Sequence, residues 1–212
     1  MKVEFHDISL HLITKDLLEE LRRIRNRASE LGFMINSRLL TQEDQVLWFN
    51  SIDSNLNYFF IIESKEKKIG VCHISSLSEA FNNAECGLYL IDESYISTQV
   101  SVLSSLIVLF LAFEILNLTE LKAKVLVLNN KAIQYNESLG FEFAERLNEQ
   151  VILMKIGFEQ YKNISKVLFN KLVKQSPIAI STESLDSNSR LFQAIELFQI
   201  NTDSSKVELK IH

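Results

Sequence analysis

The period with which apolar and polar residues alternate changes along the chain and divides it into elements. Residues 3–10 (VEFHDISL) alternate and predict a first strand. Thr14 then precedes Asp16, Leu17, Leu18, Leu21 and Ile24, an N-cap followed by an i, i+3, i+4 stripe. The helix so predicted carries Arg22, Arg23, Arg25 and Arg27 and ends near Gly32. Thr41-Gln42-Glu43-Asp44 is a second capping signal, opening a helix with Val46, Leu47, Phe49 and Ile52. Tyr58–Glu63 reads as a strand, Ser64–Lys68 as a charged turn, and Ile69–Ser75 as the hairpin partner. Ala84–Ile91 is another strand, followed by the apolar stretch Val100–Leu118. A strand over Leu121–Leu128 and a helix over Asn130–Leu139, stopped by Gly140, lead to short strands at Phe141–Glu145 and Gln150–Ile156. This order predicts a mixed α/β fold, antiparallel in its front half with a βαβ crossover behind.

Past Gly157 the character changes. Tyr161–Val173 predicts an amphipathic helix with Ile164, Val167, Leu168 and Leu172 on one side. Residues 180–189 (ISTESLDSNS) read as a polar linker or loop, Leu191–Ile200 as a short helix and Val207–Ile211 as a last strand. The expected organisation is one domain over 1–157 and an appendage over 158–212. Such a tail suits covering a sheet edge, closing over a site, or a dimer contact, so a homodimer is among the expected states. Val100–Leu118 is close to membrane-span length. Glu114, Asn117 and serines interrupt it, however, and no Lys or Arg flanks its start, so a buried central helix is expected.

Composition narrows the chemistry. Only 5 glycines occur in 212 residues, at Gly32, Gly70, Gly87, Gly140 and Gly157, which excludes a dinucleotide fingerprint and a P-loop. Cys72 and Cys86 make neither a disulfide framework nor a C-x-x-C pair, which fits a reducing compartment and core packing. The four histidines (His6, His11, His73, His212) are scattered, so no metal is expected, and mid-strand His73 reads as a satisfied or surface residue. A net charge of -5 leaves no basic footprint for nucleic acid, and the charged start has no signal-peptide core. A cytoplasmic protein without nucleic-acid or membrane partners is expected.

The stretch Leu128–Phe141 (LNNKAIQYNESLGF), with Asn129, Ala132, Ile133, Tyr135 and Gly140-Phe141, resembles the late motif of the GNAT superfamily of acyl-CoA-dependent N-acetyltransferases. The resemblance covers residues 3–157 and implies a central mixed, mostly antiparallel twisted sheet flanked by helices. The front half is similar to the sugar-nucleotide branch of pseudaminic acid biosynthesis, and the ribosomal-protein N-terminal acetyltransferases share much of the pattern. The residues that carry this are Ile24-Arg25-Asn26, Met34-Ile35-Asn36-Ser37, Leu40-Thr41-Gln42-Glu43 and Trp48-Phe49. Gln45 departs from it, standing where relatives often carry histidine.

The resemblance implies acetyl-CoA as co-substrate and a small-molecule amine as acceptor, a nucleotide-linked amino sugar being the candidate. It places Glu85 as the base for the amine proton and Tyr135 as the acid for the leaving thiolate. Leu88, Tyr89 and Leu90 would present backbone to the pantetheine amides, with Asn129 and Ala132 beside that arm and Arg25, Asn26 and Met34 on the acceptor side. The glycine-rich pyrophosphate loop of relatives corresponds to Tyr95-Ile96-Ser97-Thr98-Gln99-Val100-Ser101. There Ser97, Thr98, Gln99, Val100 and Ser101 would meet phosphate at a helix N-terminus, and Ile96 replaces an arginine. Each role has a structural alternative: an ordinary ion pair for Glu85, local satisfaction of the Tyr135 hydroxyl, a helix cap for Asn129, a solvated helix face for the arginines. The missing glycines also leave a second reading, a GNAT-fold binding or assembly module without cofactor.

Overall fold

In the computed structural model the first expected strand is a hairpin. β1 (Lys2–Phe5) and β2 (Ile8–Leu12) fold back at His6, which adopts φ 55°. The alternation runs unbroken through both arms, so only the left-handed residue at the turn betrays the reversal. The structure describes residues 1–78, 82–96, 98–173, 176–183, 185–201 and 207–210. The helices are α1 (Leu18–Glu30), α2 (Gln42–Ser51), α3 (Gln99–Phe110), α4 (Asn130–Ser138), α5 (Phe158–Asn163), α6 (Ser165–Val173) and α7 (Arg190–Asn201). The remaining strands are β3 (Tyr58–Ser64), β4 (Lys67–Ser75), β5 (Asn83–Leu90), β6 (Glu120–Leu126), β7 (Glu142–Arg146), β8 (Val151–Gly157), β9 (Ile178–Ser181) and β10 (Val207–Lys210).

Among the described residues ten strands join one sheet in the order β10-β9-β1-β2-β3-β4-β5-β6-β8-β7. Pairing is antiparallel except at β5–β6 and β9–β10. The crossover through α3 makes the first of these, as the βαβ pattern requires. On one face α1 buries Leu21 and Ile24 against Ile61 and Val71, with Trp48 and Phe49 of α2 packed on the same cluster. On the other face α3 is the central element, buried on nearly every side and continued by a π-turn over Leu111–Ile115. Its all-round hydrophobicity therefore reflects burial in protein, and among the described residues no helix is long and apolar enough to cross a membrane. Two of the three cap signals hold; Thr14 instead precedes a 3-10 turn over Lys15–Leu17, donates its hydroxyl to Asp16 and caps no helix N–H, so α1 starts one turn later. Thr41 and Asp44 form a reciprocal capping box on α2, and Gly140 takes φ 96° past α4, a conformation that only glycine adopts without strain.

Two expectations for the tail are corrected. The helix over Tyr161–Val173 breaks at Ile164, and its buried side is Tyr161, Ser165, Phe169 and Val173, while Ile164, Val167 and Leu168 stay 43%, 46% and 38% exposed. The two aromatics set the orientation because they cover the most apolar area: Tyr161 stacks on Phe113 at 4.6 Å and Phe169 on Phe110 at 4.9 Å. The expected polar linker begins inside β9, whose Ile178 and Ile180 are fully buried. β9 pairs along β1 and so covers an edge that the front half alone leaves open.

Candidate active site

The site is built around an incomplete pairing. β5 and β6 run parallel only at Asn83↔Glu120, Ala84↔Leu121 and Glu85↔Lys122. Beyond Glu85, β6 follows β8 to Leu126 while β5 follows β4 to Leu90. Among the described residues, one edge of β5 from Cys86 to Leu90 therefore has no strand partner, which leaves peptide groups available to an extended ligand in the manner of an added strand. Leu88, Tyr89 and Leu90 lie on this edge. Cys86 and Leu88 face the α3 side, and Tyr89 packs with the α1–α2 side.

Glu85, at the mouth of the splay, shares the α1–α2 face with Tyr89 by strand alternation. Its Oε1 lies 2.7 Å from Lys124 Nζ, and the carboxylate side chain remains 35% exposed. Beside it stands His73 of β4, opposite Gly87 in register. The His73 ring packs on Phe59 at 5.0 Å, and Phe59 is held edge-on by Trp48 of α2 at 4.9 Å. Burial pushes the His73 imidazole down to about 4, against the pull of Glu85. The same burial holds the Cys86 thiol at about 12 and lifts Cys72 further, so both cysteines are protonated at neutral pH and serve as packing residues.

On the other face of the sheet, α4 is tied to the first turns of α3. Thr98 caps α3, accepting from Val100 N–H at 3.3 Å, and its own hydroxyl donates to the Tyr95 carbonyl at 2.7 Å. The other first-turn N–H groups, at Gln99 and Ser101, have no partner within the helix. Ile96, in place of the relatives' arginine, packs against the core beside Tyr95 and Val102. Ser97 lies outside the described residues. Asn129 caps α4, its Oδ1 accepting from Ala132 N–H at 3.0 Å. Replacing Asn129 by alanine is expected to cost about 1 kcal/mol, read by thermal denaturation, since a capping bond is lost. The Tyr135 hydroxyl donates to the Ser101 carbonyl at 2.8 Å and lies 2.8 Å from the Ser105 hydroxyl, which can donate in return. Burial pushes this phenol up to about 12. Tyr135 thus ties α4 to α3 on the face opposite Glu85.

The Arg25-Asn26 pair organises the segment between α1 and α2. Arg25 donates to the Asn36 carbonyl at 2.7 Å, to the Ser29 hydroxyl at 2.8 Å and to the Arg38 carbonyl. Asn26 grips Leu40 twice, donating to its carbonyl and accepting from its N–H, both at 2.9 Å. Met34 lies partly buried in the segment so held. Beside α1 a cleft of about 810 Å³ is lined by Arg22, Arg23, Arg27, Lys67 and Lys68 and by Glu30, Asp92 and Glu93, with Arg22, Arg23 and Arg27 ion-paired to Glu19, Glu20 and Glu30. Among the described residues no group of three or more His, Cys, Asp or Glu side chains is placed to hold a metal ion.

The structure thus places Glu85 where β5 parts from β6 and, on the opposite face, ties α4 to the first turns of α3 through Tyr135. Sequence reasoning passed over the contact between His73 and Gly87, whose one available signal was a glycine inside a strand.

Residues 10–170 match the family described as Acetyltransferase (GNAT) domain. No curated protein sequence matches the chain. Among solved structures, spermidine N-acetyltransferase from Vibrio cholerae in complex with CoA and spermine superposes with a TM-score of 0.64 at 21% identity, over 74% of this chain and 99% of that one. FdhC, a nucleotide-linked sugar GNAT, gives a TM-score of 0.67 at 18% identity, over 81% and 98%. A domain from Methanocaldococcus jannaschii gives 0.62 at 22%, over 71% and 98%. At these identities the likeness is one of fold.

Proposed function

Because the chain belongs to the GNAT acetyltransferase family, we propose that it transfers an acetyl group from acetyl-CoA to a primary amine of a small molecule, the acceptor being a nucleotide-linked amino sugar. The observation that carries the reading is the open edge of β5 beyond Glu85, with a carboxylate at its mouth. That edge suits the amides of a pantetheine arm, taken up by the backbone of Leu88, Tyr89 and Leu90. Thr98, Gln99, Val100 and Ser101, at the N-terminal end of α3, take the pyrophosphate, where oriented N–H groups favour an anion without the usual arginine. Asn129 and Ala132 flank the arm from α4. The bound donor supplies an acetyl thioester activated toward amines.

The protein's own residues manage protons. An amine attacks only when neutral, so Glu85 takes its proton, directly or through a water. Tyr135 keeps its proton at neutral pH and protonates the departing thiolate by exchanging its bond to the Ser101 carbonyl for one to sulfur. Arg25 and Asn26 hold the α1–α2 segment, with Met34, over the acceptor side. The cleft beside α1 carries Lys67 and Lys68 as well as three ion-paired arginines against Glu30, Asp92 and Glu93, an excess of cations that favours an acceptor bearing phosphate over a polyamine. The family's activity and the open edge support an enzyme rather than a binding module.

Isothermal titration with acetyl-CoA tests the donor half. Micromolar affinity, about -8 kcal/mol, is expected. Absence of heat and of thermal stabilisation at millimolar ligand would sink the reading. Turnover assays then separate a UDP-linked amino sugar, expected to be acetylated, from spermidine, expected to be inert.

A further inference from the structure

We infer that His73 is the contact for the acceptor amine, hydrogen-bonding it through the nitrogen-bearing edge of the imidazole that lies over Gly87, beside Glu85. The inference rests on the amine-acetylation reading above. Four observations converge on this ring. A Cβ placed on Gly87 would stand 2.7 Å from His73 Cε1, 3.3 Å from Nε2 and 3.4 Å from Nδ1, so a side chain there would displace the imidazole. Gly87 falls just past Glu85, the last residue of β5 paired to β6, so the ring's polar edge sits where the splay opens. Phe59 of β3 packs on the ring and is itself braced by Trp48 of α2. Nδ1 is fully buried with no hydrogen-bond partner, although the residue as a whole is partly exposed.

A buried polar atom without a partner costs about 1–3 kcal/mol, a cost that a donor reaching the ring would relieve. Depression of the imidazole by burial leaves the ring neutral over the range in which amines are acetylated, so one ring nitrogen carries a lone pair. A neutral ring next to a carboxylate gives the amine two acceptors of different kinds: the imidazole orients an N–H and Glu85 takes the proton. The arrangement fits a primary amine, which has an N–H for each.

Two measurements test it. In ¹⁵N-labelled full-length protein, the His73 imidazole resonances are followed by long-range ¹H–¹⁵N correlation during separate titrations with acetyl-CoA, a UDP-linked amino sugar and spermidine. One of the two amines is expected to shift the ring nitrogens more than acetyl-CoA does. If neither amine moves them, the inference is overturned whatever the turnover. In steady-state assays, His73→Phe is expected to lose about 10- to 100-fold in kcat/KM for the amine with unchanged acetyl-CoA affinity, and His73→Asn to recover part of it. Gly87→Ala, which keeps the imidazole but displaces it, should lose activity in the same direction. A folded His73→Phe with wild-type kcat/KM refutes the inference. Failure of acetyl-CoA to bind refutes the acetyltransferase reading instead, and an amine-dependent shift of the ring would survive it.

Discussion

Glu85→Gln is expected to lower kcat by about 10²- to 10⁴-fold while leaving acetyl-CoA affinity within a few-fold, because the amide keeps the shape of the side chain and cannot accept the proton. The alternative role of Glu85 is its ion pair with Lys124, at 2.7 Å between side chains that are 35% and 43% exposed. An exposed pair of that kind contributes about 0–1 kcal/mol to stability. The two roles separate in a paired experiment. If the carboxylate only held Lys124, then Glu85→Gln and Lys124→Met would cause similar small losses of stability and leave kcat alone. If it is the base, Glu85→Gln abolishes most of the turnover at an unchanged melting temperature, and Lys124→Met leaves most of it. Comparable kcat values for the two variants would remove Glu85 from the mechanism.

The largest expected effect on stability is at Phe110, where alanine should cost about 3–5 kcal/mol. Phe110 is 4% exposed, stacks on Phe169 of α6 at 4.9 Å and meets Phe198 of α7 edge-on at 5.7 Å. One ring thus joins α3 to two helices of the C-terminal region, and its removal leaves a cavity on both contacts. For a chain of this length, each kcal/mol lowers the melting temperature by about 2–4 °C. Leu128→Ala, at a side chain 93% exposed, is the control and should change little. A cost below about 1 kcal/mol at Phe110 would mean that α6 and α7 are not part of the core that positions α3. The consequence for function is direct, since the far end of α3 is the proposed anion site.

Features that depend on a few neighbouring residues were legible before the fold. The capping box of Thr41 and Asp44, the Asn129 cap and the stop at Gly140 are each complete within one helical turn. The motif around Asn129 to Phe141 was legible for the same reason: its residues act over a short span. The His6 turn escaped because its alternation continues through the reversal, and residues 164–168 misled because a stripe shows which residues are apolar but not which of them meet the larger partner. Arg25 and Asn26 were legible as residues but not as a clamp, since their partners Asn36, Arg38 and Leu40 lie across a segment of no regular period.

The sequence by itself determined the order of most elements between α1 and β8, the buried nature of α3, the family and the candidates Asn129 and Tyr135. These follow from local periodicity, capping chemistry and a contiguous motif, while Glu85 came from the family resemblance alone. Only the tertiary structure decided that β5 and β6 part after Glu85, that β9 covers β1, and that His73 lies over Gly87 beside the carboxylate. Each of these is a relation between strands distant in sequence, set by how much apolar surface the whole chain can bury at once, and no window of neighbouring residues contains it.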